Sequence, residues 1–184
     1  MGQYHIAVFL GEDKNGKTNI LGSVRPWDCD TQGKLAEHAY VGNEFLECVQ
    51  GLLERGKGQF AGSRLVWAGE YADHEPGYGE NLHRICDEKG LKGLKPVSLK
   101  YAINETKKLY IDLEEIRGRW PIHPIPLLCV EDDGDAIGEY EPKDTPDEKI
   151  RVGTWARDVI TFSDGRPTGK GWKKVKYNFK YYGY

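Results

Sequence analysis

Long hydrophobic runs are absent from this sequence of 184 residues. No stretch approaches the ~20 consecutive apolar residues that a membrane-spanning helix needs. The apolar run from Ile6 to Leu10 is also too short for the hydrophobic region of a secretory signal. We therefore expect a cytoplasmic protein without a membrane partner.

Motifs built on cysteine or glycine are absent as well. The sequence has no GxGxxG, no Walker A loop, no HExxH and no GxSxG elbow. No CxxC pair exists, and the spacing of Cys and His fits no zinc pattern. We expect no cofactor and no metal, and free thiols at all four cysteines, which are Cys29, Cys48, Cys86 and Cys129.

The sequence is rich in charged and aromatic residues. Charged residues make up 30% and aromatic residues 11%, including 5 Trp and 11 Tyr, which excludes a globally disordered chain. The formal net charge is -3, so nothing global indicates a nucleic-acid binder. Charge is nevertheless segregated: nine acidic residues lie between Glu131 and Glu148, and six basic residues and no acid lie between Gly165 and Tyr184.

Local patterns predict a mixed structure. Tyr4–Leu10 and Thr18–Val24 flank Asn15-Gly16, a strong signal for a β-hairpin turn. Apolar residues recur at helical spacing from Glu44 to Glu54, with Asn43 as the predicted N-cap.

Further elements are predicted along the rest of the chain. Arg64–Ala68 is typical of a strand, Glu80–Glu88 of a short helix, and Val97–Ile103 with Lys107–Leu113 of a second hairpin. The prolines around His123 favour an extended or edge segment. Strands are also expected within Leu127–Val130, Ile150–Phe162 and Lys173–Tyr182. Residues 1–184 are therefore expected to form one α+β domain, a mostly antiparallel sheet with one or two covering helices.

The first candidate site follows the strand that ends at Ala68. It contains Glu70, Asp73, His74 and, further on, His83. A histidine oriented by a carboxylate can act as a general base near pH 7, and two histidines with a carboxylate can ligate a metal. The alternative is a polar loop with solvated charges.

His123 is a second candidate, because prolines fix the backbone around it and Trp120 precedes it. Such a rigid segment can line a pocket. A histidine buried for structural reasons is the competing interpretation.

The acidic segment is a third candidate. Asp132, Asp133 and Asp135 offer clustered oxygens, but their order does not match an EF-hand, so solvation or contact with a partner is favoured over Ca²⁺ or Mg²⁺.

Trp155 and Trp172, like Trp120, are candidate anchors for a partner, because Trp is common in binding hot spots. The basic C-terminal strand is a weaker candidate for anions or nucleic acid, since its lysines and aromatics alternate onto opposite faces.

Three segments of the C-terminal half, Asn104–Leu113, Ile122–Leu128 and Arg151–Ile160, are similar to a loose set of uncharacterised microbial proteins. The resemblance implies an origin in a microbe or its mobile elements. It carries no activity and no site residues.

The sequence thus favours a non-enzymatic binding protein with a protein partner. The alternatives are a metal-dependent or His/carboxylate-dependent hydrolase that uses His74, His83 or His123 with Glu70 or Asp73, and an anion or nucleic-acid binder.

Overall fold

The computed structural model describes residues 3–119, 121–132 and 150–177. In these ranges eight strands form two four-stranded sheets, accompanied by four short α-helices. The strands are β1 (His5–Glu12), β2 (Thr18–Val24), β3 (Arg64–Gly69), β4 (Tyr101–Asn104), β5 (Leu109–Asp112), β6 (Val130–Glu131), β7 (Ile160–Ser163) and β8 (Lys173–Lys174). The helices are α1 (Leu35–His38), α2 (Glu44–Leu52), α3 (Leu82–Cys86) and α4 (Pro124–Leu128), with 3₁₀ turns at Pro26–Cys29 and Leu113–Glu115.

The first sheet has the strand order β2-β1-β3-β6, and its N-terminal hairpin is confirmed. The turn between β1 and β2 is held by Asp13, whose Oδ1 accepts the backbone N–H groups of Asn15 and Lys17 at 2.8 and 2.9 Å. Gly16 has a φ of +76°, a conformation that glycine adopts without steric cost. β1 and β3 are antiparallel, whereas the short β6 runs parallel to β3.

Both faces of this sheet are buried. Ala7 and Phe9 on β1 point into the larger core, while the alternate residues Ile6 and Val8 point to the opposite face. There, α3 covers them with Leu82 and Cys86. This double burial explains why β1 reads as a continuous apolar run instead of alternating with polar residues.

The second sheet has the order β7-β4-β5-β8. The predicted hairpin of β4 and β5 is confirmed, with both strands shorter than predicted. β7 adds antiparallel to β4, and β8 adds parallel to β5. Residues of both sheets, such as Phe9 and Phe162, belong to one apolar core, so the α+β class with mostly antiparallel strands is confirmed.

Helix α2 packs into this core with the apolar face predicted from its spacing. Asn43 caps it by accepting the Leu46 N–H at 3.4 Å. Phe45, Leu46 and Val49 are almost completely buried. None of the helices in the described ranges is long and apolar enough to cross a membrane.

The prediction of an extended proline segment was wrong. Residues Pro124–Leu128 form α4 instead. Proline is tolerated in the first turn of a helix because the N–H groups there have no intrahelical acceptor. His123 caps the helix, since its Nδ1 accepts the Ile125 N–H at 3.2 Å.

Two predicted strands are also shorter than their patterns suggested. Within Ile150–Phe162, residues before Ile160 form turns, and Arg157 has a φ of +65°, which interrupts any strand. Among residues 173–177 of the C-terminal segment only Lys173–Lys174 forms a strand; residues 178–182 of the predicted strand lie outside the described ranges.

Candidate ligand-binding cleft

A cleft of about 400 Å³ lies beside the first sheet, where β1 begins and β3 ends. Its lining comes from four separate parts of the chain. The residues that matter below are Tyr4, Trp27, Gly33, Glu70, His83 and Asp87. We call this feature the aromatic cleft.

Tyr4 and Trp27 are the aromatic side chains of the cleft, and they are 45% and 41% exposed. Both rings pack against Gly33: a Cβ atom on that residue would lie 2.5 Å from Cδ1 of Tyr4 and 3.2 Å from Cζ3 of Trp27. Only glycine leaves room for the two rings at this position. The Gly33 carbonyl also accepts the His5 N–H at 2.9 Å, which ties this segment to β1.

Arg25 helps to position Trp27. Its guanidinium donates to both carboxylate oxygens of Asp28, at 2.6 and 2.8 Å, and also to the backbone carbonyl of Asp87. The guanidinium carbon lies 5.6 Å from the centre of the Trp27 ring. Arg25 therefore links the 3₁₀ turn that carries Trp27 to the end of α3.

His83 contributes an almost fully buried imidazole, only 6% exposed. Its Nε2 is buried and has no hydrogen-bond partner among the described residues. Desolvation lowers the pKa of His83; the charges of Asp87 and Glu70 oppose this, and His5 and Arg84 add to it. The ring is therefore neutral at pH 7, with one nitrogen unsatisfied.

The charged residues of the lining are both acidic. Glu70 and Asp87 are half-buried, and no lysine or arginine is among the described residues that line the cleft. Asn81 fixes this part of the chain: its Nδ2 donates to the Glu70 carbonyl at 2.8 Å, and its Oδ1 caps α3 by accepting the Arg84 N–H at 2.9 Å. The cleft therefore combines aromatic rings, negative charge and a neutral imidazole.

The structure brings together only part of the first predicted site. Glu70 and His83 both line the aromatic cleft, whereas Asp73 and His74 are exposed on the loop between them and are not part of its lining. His123 is completely buried in another part of the molecule, beneath α4. Within the ranges described, no group of three or more His, Cys, Asp or Glu side chains is arranged to hold a metal ion.

The contacts of His123 are those of a residue that stabilises the fold. Its Nδ1 caps α4, its Nε2 lies 3.5 Å from the side-chain amide of Gln50, and its ring is tilted against Phe162. Burial lowers the pKa of His123 to about 3. The imidazole is therefore a neutral capping group, which matches the structural interpretation of this residue.

Of the tryptophans predicted as partner anchors, the structure describes Trp155 and Trp172. Trp155 is completely buried in the larger core and offers no surface to a partner. Trp172 is half-buried, with Arg55 and Lys108 placed 5.5 and 4.8 Å from its ring centre. Trp120, Asp133 and Asp135 lie outside the described residues.

The expectation of a solvated Asp132 was wrong. Its carboxylate is buried 3.3 Å from Nε2 of His5. Asp132 follows β6, and the parallel register of β6 with β3 brings it beside Gly69, where a Cβ atom would lie only 2.6 Å from Cβ of Asp132. The missing side chain of Gly69 makes room for a buried His–Asp pair that the sequence does not indicate.

Sequence reasoning missed Tyr4, Trp27, Gly33 and Asp87. The sequence patterns place Tyr4 in a strand and Asp87 in a short helix, and they predict no element that contains Trp27 or Gly33. They meet because residues 33–34 run alongside the start of β1, with a bridge between Tyr4 and Lys34. One sequence feature pointed to Trp27: it lies in a polar, proline-containing segment, Arg25-Pro26-Trp27-Asp28. That feature does not indicate which residues Trp27 contacts.

No family model matches the chain, and no curated protein or solved structure is significantly similar to it. Its function is therefore inferred from the geometry and chemistry of the aromatic cleft.

Proposed function

We propose that the protein is a non-enzymatic binding protein whose protein partner inserts a side chain into the aromatic cleft. The observation that carries this proposal is the pair of exposed rings, Tyr4 and Trp27, which both pack against Gly33. Exposed Tyr and Trp are the residue types most often found at the energetic centre of interfaces.

The rigidity of the cleft supports the same function. Arg25, which contacts the Trp27 ring, is hydrogen-bonded to Asp28 and to the end of α3, and Gly33, which both rings contact, is hydrogen-bonded to β1. The residues that support the two aromatic side chains are therefore fixed. A preorganised surface loses less conformational entropy when a partner binds. A single inserted side chain also matches the size of the cleft, which is near the small end of ligand pockets.

The test compares two tyrosine variants. Tyr4→Ala removes one ring of the cleft, and Tyr71→Ala removes an even more exposed ring, 53% accessible, that does not line it. Partners are cross-linked to each purified variant and quantified by mass spectrometry. We expect Tyr4→Ala to lose at least one partner that the wild type and Tyr71→Ala both retain.

The proposal fails if Tyr4→Ala and Trp27→Ala recover the same partners in the same amounts as the wild type. Circular dichroism and thermal unfolding of each variant exclude loss of structure as the reason for a lost partner. Trp27→Phe keeps a ring in place, so partial recovery with this variant would support a direct aromatic contact.

A hydrolase remains the second candidate, because His83 and Glu70 share one cleft and the His83 Nε2 has no partner among the described residues. The versions that use His74 or His123 have less support, because neither histidine lines the cleft with Glu70. A hydrolytic activity that disappears with His83→Gln and persists with His74→Gln would favour this candidate over binding alone.

A further inference from the structure

We infer that the side chain taken by the aromatic cleft is cationic, a lysine or arginine of a basic peptide segment. This inference rests on the proposed function and names the chemistry of the partner. It depends on three separate properties of the lining: its charge, its rings and the unsatisfied imidazole of His83.

The charge of the lining selects against anions. Glu70 and Asp87 supply two carboxylates, and the guanidinium of Arg25, which also interacts with Asp87, is already paired with both oxygens of Asp28. A carboxylate or phosphate entering the cleft would meet like charge. A cation would meet opposite charge at two points.

The aromatic rings favour the same sign of charge. The faces of Trp and Tyr rings carry negative partial charge and attract ammonium and guanidinium groups. Trp27 already has a guanidinium near its ring, that of Arg25 at 5.6 Å, so the ring of Tyr4 carries more of the remaining attraction for a ligand cation. Acidic groups combined with aromatic rings are the features by which proteins recognise cationic side chains.

His83 supplies an independent observation that points to a ligand. Its side chain is buried, lines the cleft and has an Nε2 without a partner in the described part of the chain. A buried polar atom without a hydrogen bond is costly and calls for an explanation. In the tautomer protonated at Nδ1, Nε2 is an acceptor for the N–H groups of a lysine or arginine, and because Nε2 itself is buried, the lining must shift for the ligand to reach it.

The direct test uses short peptides of known charge. The probes are acetyl-Gly-Ser-Lys-Ser-Gly-amide, the same peptide with arginine, and two uncharged analogues with norleucine or citrulline at the central position. Binding to the full chain is followed by NMR, from the shift of the Trp27 indole N–H. We expect saturable shifts with the lysine and arginine peptides, and affinities at least about tenfold weaker, or about 1.4 kcal/mol, with the uncharged analogues.

Variants locate the interaction. Glu70→Gln keeps the shape of the cleft and removes one charge, and we expect it to lower the affinity for the lysine peptide about tenfold. Glu114→Gln removes a more exposed charge in the 3₁₀ turn after β5, beside Lys100, and should leave binding unchanged. Raising the salt concentration should weaken binding to the wild type more than to Glu70→Gln.

Several outcomes would overturn the inference. Equal affinity for the norleucine and lysine peptides would show an apolar site, and equal affinity for butylammonium and the lysine peptide would show a site for small amines. If no cationic peptide binds while Tyr4→Ala still loses a protein partner, the cationic chemistry is wrong and the proposed function stands. If the cationic peptides bind but the cleft variants keep every partner, the proposed function is the part that fails.

Discussion

Lowering the pH from 7 to 5 should strongly destabilise the protein, because two buried histidines are held in the neutral form. His38 and His123 are completely buried, and desolvation lowers the pKa of each to about 3. Their hydrogen bonds also require neutral rings. His38 accepts the indole N–H of Trp67 at Nε2, 2.9 Å away, while its Nδ1 lies 3.1 Å from the Gln32 carbonyl and is placed to donate to it.

The size of the effect follows from linkage. In the unfolded chain a histidine titrates near pH 6.5, so between pH 6.5 and about 3 the unfolded state binds more protons than the folded state. The free energy of unfolding therefore falls as the pH falls through this window. For a folded-state pKa of about 3, each histidine lowers the free energy of unfolding by about 2 kcal/mol between pH 7 and 5, and the two together lower it by about 4 kcal/mol. That is a large share of the ~5–15 kcal/mol that stabilises an ordinary domain.

Urea unfolding at pH 7 and pH 5, followed by circular dichroism, measures this difference directly. His123→Asn gives a sharper test, because asparagine can still cap α4 but does not titrate. We expect this variant to lose about half of the pH dependence. His74→Gln, at an exposed position, is the matched control and should keep all of it.

The reasoning is refuted if the wild type loses less than about 1 kcal/mol between pH 7 and 5, or if His123→Asn and His74→Gln have the same pH dependence. The pKa of His83 is also lowered by desolvation, so its contribution has the same sign and would make the loss larger, not smaller.

Other changes test separate parts of the fold. Arg157→Ala should lower the free energy of unfolding, measured in urea, by about 3 kcal/mol, because it leaves the buried carboxylate of Glu75 without its bidentate partner. Lys100→Ala, at an exposed ion pair, should lower it by less than about 1 kcal/mol. Equal losses would contradict the argument from burial. Asn43→Ala should lower the free energy of unfolding by about 1 kcal/mol through the lost cap of α2, and no change in the urea midpoint would show that the cap is dispensable. All four cysteines are buried, and burial raises the pKa of each thiol. A thiol reagent at pH 8 should therefore label the native chain slowly and the urea-unfolded chain fully. Rapid labelling of the native chain would contradict this burial.

The elements that were predicted correctly depend on neighbours in sequence. Asn15-Gly16 favours its turn by local conformational preference, Asn43 caps a helix that begins at the next residue, and the spacing of Phe45 and Val49 places both on one face of α2. The proline segment was predicted wrongly because proline is compatible both with extended structure and with the first turn of a helix. His123, acting as an N-cap, stabilises the helix at that point.

Local patterns were sufficient to predict the α+β class, both hairpins and the α2 helix, because turn preference and hydrophobic periodicity act over a few residues. The composition of the cleft, in contrast, follows from long-range contacts. Strand pairing buried Asp132 beside His5, placed Trp155 in the core and left His74 exposed. The aromatic cleft exists because Gly33 runs alongside the start of β1 and α3 folds over the outer face of the first sheet. These are contacts between residues tens of positions apart, which no local pattern encodes.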